Sequence, residues 1–315
     1  MSPDPRRVLL IAHTARGDAR AISRALVTRL RKHDIAVRML AEEAADIGLD
    51  GDDGASLELV DATGAAGRDC ELVVVVGGDG SILRAVELAH ADAAPVLGVN
   101  IGHVGFLAEA EMEDVDATID AIASRRYTTD ERFTIDVRVL RDGEVVAETF
   151  ALNEASVEKA ARERMLEVVL EIDGRPLSRW GCDGVVCATP TGSTAYNFSA
   201  GGPVVWPGVE ALCVVPLSAH ALFARPLVVA PTSVVAVEVL SQSVSPGVLW
   251  CDGRRTVELP PGARIEVRRG VRPVRLVRLH EAPFTDRLVA KFGLPVEGWR
   301  GSSERRRRLA EGKDA

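Results

Sequence analysis

Positions 77–81 read Gly-Gly-Asp-Gly-Ser, which places one carboxylate among glycines. The apolar run at 72–76 before it predicts a buried strand, and a helical pattern follows it. Ligands of open α/β sheets bind at the carboxyl ends of strands, where glycines and a helix N-terminus accommodate phosphates. Asp79 could therefore take a proton from a hydroxyl or hold Mg²⁺ on a nucleotide phosphate. The alternative is a tight turn in which Asp79 only caps the helix.

Two shorter segments have residue types that suit a ligand. Positions 100–107 read Asn-Ile-Gly-His-Val-Gly-Phe-Leu, and the two glycines allow a backbone wall around a bound molecule. Asn153 and Glu154 end a predicted strand, and an amide beside a carboxylate can bind the vicinal hydroxyls of a ribose. A structural loop and a surface turn, respectively, are the alternatives.

The longest candidate segment spans residues 183–203. It contains Thr-Pro-Thr-Gly-Ser-Thr-Ala-Tyr at 189–196 and Ser-Ala-Gly-Gly-Pro at 199–203. Many donors, little bulk and one aromatic face suit an adenine-ribose or pyrophosphate group better than a hydrophobic core. Ser193 is not in a Gly-x-Ser-x-Gly context, which argues against a serine hydrolase. A merely polar loop is the alternative.

The hydrophobic pattern predicts the elements that position these segments. Through about residue 126, strand-like runs alternate with helical spacing, as in a parallel sheet covered on both faces. Residues 41–67 are rich in Asp, Gly and Ala and are predicted to be a loose surface stretch. We predict strands at 8–12, 35–40, 72–76 and 95–99, and helices at 19–33, from 81 to before 95, and at 116–126.

The rest of the chain is predicted to be rich in β-structure. The expected fold is an α/β N-terminal domain with a parallel sheet (1–126) and a β-rich, sandwich-like C-terminal domain (127–283). A helix at 285–292 lies in the segment 284–315, which is expected to pack back on the first domain. The strand patterns lie at 133–140, 145–152, 166–172, 184–188, 227–230, 234–240 and 264–268.

Composition excludes several classes of protein. The 315 residues are 47% apolar with a net charge of −8, which excludes a disordered or fibrous chain and argues against nucleic-acid or membrane binding. Five cysteines without a C-x-x-C pair, and no signal-peptide pattern, predict reduced thiols and a cytoplasmic location. The six histidines form no metal-binding motif. The Arg-rich stretch 304–308 is predicted to be a solvated end.

Taken together, the segments resemble the ATP- or polyphosphate-dependent NAD kinases. The matching residues are 77–81, 100–107, 153–154, 183–203, 220–226 and 251–253, in the order that the family shows. Phosphofructokinases and lipid kinases share the glycine-aspartate loop, whereas the combination of 189–196 with 199–203 is much more specific. Ser81 departs from the Thr common there, and residues 155–157 from a more apolar run.

The resemblance implies transfer of the γ-phosphoryl of ATP, or of polyphosphate, to the 2′-hydroxyl of the adenosine ribose of NAD, which gives NADP. Asp79 would accept the proton of that hydroxyl. Gly80 would approach the phosphates, and Arg84 would add positive charge one helical turn further on. Mg²⁺ would be held mainly by the nucleotide phosphates, without a set of metal ligands from the protein.

The resemblance also implies an NAD pocket in the second domain and a homo-oligomer, either a dimer or a tetramer. Asn153 and Glu154 would hold NAD hydroxyls, and Asp183 would meet the nicotinamide end. Arg164 is expected near the Asn153–Glu154 pair. The dinucleotide pocket would be lined by Thr194, Ala195, Tyr196, Asn197, Phe198 and Ser199.

Two other functions stay open at this stage. A sugar or lipid kinase sharing the glycine-aspartate loop would form no NADP from ATP and NAD. A dinucleotide-binding regulator would bind NAD without turnover. The intact loop around Asp79 favours an enzyme.

Gly181 bears on which redox form is accepted. Some NAD kinases carry Arg at the matching position, which would add charge and narrow the nicotinamide end. Gly181 supplies neither bulk nor charge, so we expect NADH to be phosphorylated as well as NAD⁺. The alternative is that Gly181 is only a turn residue.

Overall fold

A computed structural model describes residues 6–49, 57–102, 105–111, 114–162, 164–280 and 283–296. The N-terminal part alternates strands and helices. Its strands are Arg7–Ala12 (β1), Ala36–Leu40 (β2), Leu57–Val60 (β3), Leu72–Val76 (β4), Val96–Asn100 (β5) and Ala110–Glu111 (β6). Its helices are Gly17–Lys32 (α1), Ala41–Asp46 (α2), Asp79–Ala89 (α3) and Val115–Ser124 (α4).

The remaining part consists mainly of strands. They are Thr128–Arg132 (β7), Ile135–Arg141 (β8), Glu144–Ala151 (β9), Glu154–Lys159 (β10), Leu166–Ile172 (β11), Arg175–Cys182 (β12), Gly184–Ala188 (β13), Leu212–Leu217 (β14), Leu227–Val229 (β15), Val235–Val239 (β16), Gly247–Cys251 (β17), Arg255–Leu259 (β18), Arg264–Arg269 (β19) and Val274–Arg278 (β20). Its described residues also form two α-helices, Tyr196–Ser199 (α5) and Phe284–Phe292 (α6), and a 3₁₀-helix at Thr191–Thr194.

The first sheet has the order β3-β2-β1-β4-β5-β20-β7, and β6 pairs with β5. All pairs are parallel except β20 with β7. All five residues of β4 are buried, because helices cover both faces of the sheet and leave no face for polar side chains. The predicted α/β domain with a parallel sheet is confirmed.

The second domain is built from two six-stranded antiparallel sheets. Their orders are β15-β14-β13-β10-β17-β18 and β12-β11-β16-β19-β8-β9. One continuous core contains apolar residues of both sheets, with Trp180 fully buried in it. Alternating side chains point into this core from each strand, as in a β-sandwich. The predicted β-rich, sandwich-like domain is confirmed.

The chain crosses between the domains at other places than the predicted boundaries. Strands β7 and β20 fall within 127–283, yet both complete the first sheet. The sandwich strands span only 135–269. The sequences of β7 and β20 do not indicate which sheet these strands join, because side chains alternate between the two faces in both kinds of strand.

The segment 41–67 was predicted to be a loose surface stretch, and this prediction is wrong for residues 41–46 and 57–60, whereas residues 61–67 form turns and residues 50–56 lie outside the described part. It forms helix α2 and strand β3, and Glu43 of α2 is buried. The Glu43 carboxylate accepts a hydrogen bond from the backbone N–H of Ala12 at 2.7 Å. Packing against β1 and β2 thus outweighs the polar composition of this segment.

Helix α6 returns to the first domain. Arg287 of α6 is paired with the buried Glu109 at 2.6 Å, and Phe284 lies against Phe106 with ring centroids 5.9 Å apart. The Arg-rich stretch 304–308 lies outside the described residues. No helix in the described part of the chain is long and apolar enough to cross a membrane.

Candidate functional site

The site begins where the strand order of the first sheet reverses. The chain moves outward from β1 to β2 on one side and from β4 to β5 on the other, so the loops after β1 and β4 separate. A cleft of about 640 Å³ opens there. It is lined by residues 13–16 after β1, by Gly78, Gly80, Ser81 and Arg84, by residues 100–102 after β5, and by Arg254 from the second domain.

Asp79 is fixed at the edge of this cleft. It is the first residue of α3, and its carboxylate oxygens accept hydrogen bonds from the backbone N–H groups of Phe106 and Leu107 at 3.0 and 3.1 Å. A Cβ on Gly105 would lie only 2.3 Å from the Asp79 Oδ1 atom, so this close approach needs glycine. Each carboxylate oxygen keeps a second lone pair that can accept a proton or a hydrogen bond.

The positive charge of Arg84 is partly neutralised by an ion pair within the protein. Arg84 lines the cleft, but it is paired with Glu43, whose side chain is 4% exposed. Burial raises the pKa of Glu43, while the Ala12 N–H and Arg84 act against that shift. Arg84 therefore both faces the cleft and anchors α2 to α3.

The loop at residues 13–16 was not identified from the sequence. His13 and Arg16 belong to it, and both line the cleft. The signal was present, because the loop follows the predicted strand at 8–12 and the carboxyl ends of neighbouring parallel strands share one edge. Sequence alone did not show that β1 and β4 are neighbours.

A second cavity, of about 240 Å³, adjoins the loop that holds Asp79. Phe106 and Leu107, whose N–H groups hold Asp79, form part of its wall. The remaining lining residues are Asp130, Arg132, Thr191, Thr194, Trp206, Pro207, Gly208, Arg278, Phe284 and Arg287. The three aromatic side chains suit a planar ring system. The charged ones are paired, Arg132 with Asp130 and both Arg278 and Arg287 with Glu109. Asp79 itself lines neither cavity, but its chain neighbours Gly78 and Gly80 line the first and its hydrogen-bond partners line the second.

The Asn153–Glu154 loop is held by backbone hydrogen bonds. The N–H groups of Leu152 and Asn153 donate to the carboxylate of Asp252, with a distance of 2.7 Å from Asn153. The Thr189 N–H donates to the Asn153 carbonyl at 2.8 Å. A Cβ on Gly192 would lie 2.0 Å from that carbonyl oxygen, so only glycine fits. The segment at 189–196 therefore packs directly on the loop.

Glu154 is buried without a full set of partners. Burial raises the pKa of its carboxyl to about 8, and the nearby Asp252 charge adds to the shift. Within the described residues, its Oε2 atom has no hydrogen-bond partner. A buried acceptor without a donor is costly, and a ligand hydroxyl would satisfy it. The predicted role of Glu154 toward ribose hydroxyls fits this environment.

The raised pKa of Glu154 predicts a pH-dependent stability. The carboxyl binds its proton up to about pH 8 in the folded state but only to about 4.5 when unfolded. The contribution of this carboxyl to the free energy of unfolding is fully present below pH 4.5 and is lost as the pH rises toward 8. We expect the wild type to lose up to about 1.4 kcal/mol per pH unit relative to Glu154→Gln in this window. Urea unfolding of both proteins between pH 5 and 8.5 measures it; parallel curves would contradict the shift.

The predicted pocket residues at 194–199 do not all face outward. Thr194 and Ala195 are half-buried, and Ser199 is exposed. Tyr196 and Phe198 are partly exposed, although Phe198 also stacks on Phe292 of α6 with ring centroids 4.6 Å apart.

The side chain of Asn197 holds the segment 193–203 together. Its side chain is fully buried, and its amide nitrogen donates to the carbonyls of Ser193 and Pro203 at 3.1 and 3.0 Å. Its Oδ1 atom has no hydrogen-bond partner among the described residues, and the place of Asn197 in the dinucleotide pocket stays a prediction. A polar residue inside a polar segment gives no sign of which way it points.

Asp183 lies on the same side of the sandwich as Glu154 and Tyr196. A hydrogen bond from Lys159 is the main reason that the pKa of Asp183 lies below its ordinary value. Burial raises the pKa of Tyr196, and the Glu158, Glu154 and Asp183 carboxylates add to that shift. These side chains form a polar surface that continues from the Asn153–Glu154 loop.

Arg164 was predicted to lie near the Asn153–Glu154 pair. It lines a third cleft, of about 520 Å³, together with Gly181, His220, Met165, Glu167, Arg179 and Val244. Asn153 and Glu154 are not part of this cleft. Gly181 and His220 are joined by a backbone bridge, and His220 acts electrostatically on Asp183. Arg164 thus belongs to the Asp183 end of the surface.

The residues around Asp79 offer few ligands to a metal ion. No cluster of three or more His, Cys, Asp or Glu side chains that could hold a metal occurs in the part of the chain that the structure describes. Mg²⁺ is commonly bound through one carboxylate and substrate phosphates, and Asp79 beside a phosphate-sized cleft fits that mode.

Comparisons with known proteins agree with this architecture. Residues 8–127 match the model of the ATP-NAD kinase N-terminal domain, and residues 152–279 match that of the C-terminal domain. A Streptomyces coelicolor protein named NAD kinase 2 is 61% identical over 298 residues, which cover 94% of this chain and 97% of that protein. The NAD kinase of Thermobifida fusca is 59% identical, covering 96% and 93% of the two chains.

Two solved structures share the fold. Yeast NADH kinase complexed with NADH superposes with a TM-score of 0.84 at 24% identity, covering 94% of this chain and 90% of that one. An NAD kinase from Archaeoglobus fulgidus in complex with ATP gives a TM-score of 0.66 at 24% identity, covering 91% and 98%. These two structures show the fold alone, whereas the sequence relatives and the domain models show the family. The chain belongs to the NAD kinase family.

Proposed function

We propose that this protein transfers the γ-phosphoryl group of ATP, or a terminal phosphoryl of polyphosphate, to the 2′-hydroxyl of the adenosine ribose of NAD. The observation that carries this proposal is that Asp79 connects two cavities, because its chain neighbours Gly78 and Gly80 line the first and its hydrogen-bond partners line the second. The first cleft exposes glycines and arginines, which suit phosphates. The second cavity has three aromatic side chains, which suit a base, and its arginines are paired with Asp130 or Glu109. A hydroxyl between them would lie beside the carboxylate.

The chemistry needs a proton acceptor and precise positioning. A bond forms between the ribose 2′-oxygen and the γ-phosphorus, and the bond from that phosphorus to the bridging oxygen of the donor breaks. The proton of the hydroxyl passes to Asp79. Phosphoryl transfer depends mainly on orientation and charge neutralisation, so a few fixed loops suffice. The two backbone hydrogen bonds to Asp79 supply that orientation.

Glu154 and Asn153 would hold the NAD hydroxyls, and Tyr196 and Asp183 would extend the binding surface toward the nicotinamide. The unsatisfied Oε2 atom of Glu154 supports this role. Mg²⁺, when bound through the donor phosphates, would neutralise charge on the transferring group. Arg84 and Gly80 would contact the same phosphates from the protein side of the cleft.

The protein is also proposed to act as a homo-oligomer in the cytoplasm. Leu222 and Phe223 lie exposed on the connection between β14 and β15, and Val228 lies exposed on the edge strand β15. Exposed apolar side chains next to a sheet edge support contact with a second copy. Light scattering of the purified protein would show the number of subunits.

The direct test is NADP formation. Purified protein is incubated with NAD and Mg²⁺, first with ATP and then with polyphosphate, and NADP is detected with an NADP-specific dehydrogenase. Formation of NADP with either donor supports the proposal. Phosphorylation of a sugar or lipid alone, or binding of NAD without turnover, would instead favour the two alternative functions.

Gly181 should influence the choice between NAD⁺ and NADH. The puckered dihydronicotinamide ring needs more room than the planar one, and Gly181 leaves the third cleft open. We expect the wild-type kcat/KM values for the two forms to agree within about tenfold, and Gly181→Arg to lower the value for NADH selectively. A wild type that rejects NADH by about 100-fold would contradict this expectation.

A matched variant separates bulk from backbone effects. A Cβ on Gly181 meets Met165 only at 3.5 Å, an ordinary contact, so Gly181→Ala adds a methyl without displacing its surroundings. We expect the ratio of kcat/KM values to follow side-chain size, with Arg acting more strongly than Ala. If Gly181→Ala and Gly181→Arg changed this ratio equally, the cause would be an altered backbone and not the size of the side chain.

A further inference from the structure

Arg254 reaches from the second domain into the cleft of the first. Its Nε atom donates to Glu87 Oε2 of α3 at 3.0 Å, and its side chain lines the same cleft as Gly78 and Gly80. The side chains of Arg254 and Glu87 are 38% and 31% exposed. The guanidinium thus lies at the cleft wall and is held there by a carboxylate that water reaches.

The turn that carries Arg254 is fixed to the acceptor side of the site. Asp252, in a left-handed conformation with φ of 53°, accepts hydrogen bonds from the N–H groups of Leu152 and Asn153. Its own N–H donates to the Glu154 carbonyl at 2.9 Å. The N–H of Arg254 donates to the Cys251 carbonyl at 3.0 Å. One turn therefore holds the Asn153–Glu154 loop and places Arg254 in the wall of the first cleft.

The three arginines of the cleft differ in how firmly they are paired. Arg84 is bound to the buried Glu43, whereas the partner of Arg16, Asp18, lies 3.7 Å away and is well exposed. Glu87 is intermediate in exposure and sits on α3 beyond the glycine-aspartate loop. Exposed ion pairs stabilise little, while charge-assisted hydrogen bonds from Arg to phosphate are strong and often bidentate. A polyanion in the cleft would therefore compete effectively for Arg254.

We propose that Arg254 exchanges Glu87 for the phosphate chain of the phosphoryl donor, so that the second domain takes part directly in donor binding. This inference rests on the proposed kinase function. The chemistry recognised is a chain of linked phosphates, which a nucleoside triphosphate and linear polyphosphate share. Because the same turn holds the Asn153–Glu154 loop, the acceptor and the donor are positioned by one rigid element.

The test compares donor and acceptor kinetics in matched variants. Arg254→Gln removes the charge, and we expect it to raise the KM for ATP and for linear polyphosphate about tenfold, with the KM for NAD nearly unchanged. Glu87→Gln frees Arg254 and should lower both donor KM values. Arg254→Lys keeps the charge and should fall between wild type and Gln. Arg138→Gln, which breaks an ion pair with Glu148 on the outer strands β8 and β9, is the control for loss of one positive charge.

The outcomes separate this inference from the proposed function. Unchanged donor KM values in Arg254→Gln would overturn the inference, and so would an increase confined to ATP or an equal increase for NAD. Calorimetric titration of ATP into wild type and Arg254→Gln reports donor binding without turnover, and thermal denaturation shows that both are folded. A wild type that forms no NADP would instead overturn the proposed function.

Discussion

Replacing Asp79 with Asn is expected to lower kcat by about 10²–10⁴-fold while NAD still binds. The Asn side chain keeps the shape of Asp but cannot accept the proton of the ribose hydroxyl. The structure adds a second cost. Both carboxylate oxygens accept a backbone N–H, from Phe106 and Leu107, and an amide can serve only one of them. One donor would lose its partner, at a cost of about 1–3 kcal/mol in stability.

Three measurements distinguish the roles of Asp79. Steady-state kinetics give kcat, calorimetry gives the Kd values for NAD and ATP, and thermal denaturation gives the Tm. Loss of turnover with intact NAD binding supports the proton-acceptor role. Near-normal turnover would contradict it. Loss of ATP binding in the presence of Mg²⁺ would favour a role in holding the metal-bound phosphates.

The sequence predicted the position of Asp79 well because its signals are local. An apolar run of five residues, a glycine-rich turn and a helical repeat follow one another without interruption at 72–89. Each of these features depends on neighbours in sequence. The sandwich class was predictable for a similar reason, since alternating strands separated by turn residues occur throughout its sequence.

The residues that position the site could not be predicted, because their partners are distant in sequence. Asp252 is about 100 residues from the loop that it holds, and Glu43 is 41 residues from Arg84. Strand β20 lies in the first sheet although all the sandwich strands stand between it and β7 in the sequence. Pairings of this kind depend on tertiary packing, which a local pattern does not encode.

Side-chain direction was the other limit. The short stretch at 194–199 contains both a fully buried side chain, Asn197, and an exposed one, Phe198. The resemblance alone placed Arg164 beside the Asn153–Glu154 loop, and in the structure Arg164 lines a separate cleft. Polar side chains in an irregular segment have no periodicity, so composition indicates a site without indicating which atoms face it.

Gly105→Ala is expected to reduce turnover about as strongly as a change of Asp79 itself. The added methyl would lie 2.3 Å from Asp79 Oδ1 and 2.9 Å from its Cγ, closer than atoms can pack. Either the carboxylate or the loop at 105–107 must move. Both movements disturb the hydrogen bonds that orient Asp79, and small displacements of reacting groups can cost about 10²-fold in rate. The ionisable carboxylate itself is retained.

Gly64→Ala provides the matched control, because a Cβ on Gly64 meets no atom within 4 Å and lies in an exposed turn away from both cavities. We expect this control to keep wild-type kcat, KM and Tm. In Gly105→Ala, the Kd for ATP should change less than kcat, since the first cleft is lined by other residues. A Gly105→Ala enzyme with normal turnover would mean that the loop adjusts freely, and that the fixed geometry of Asp79 contributes little to the reaction.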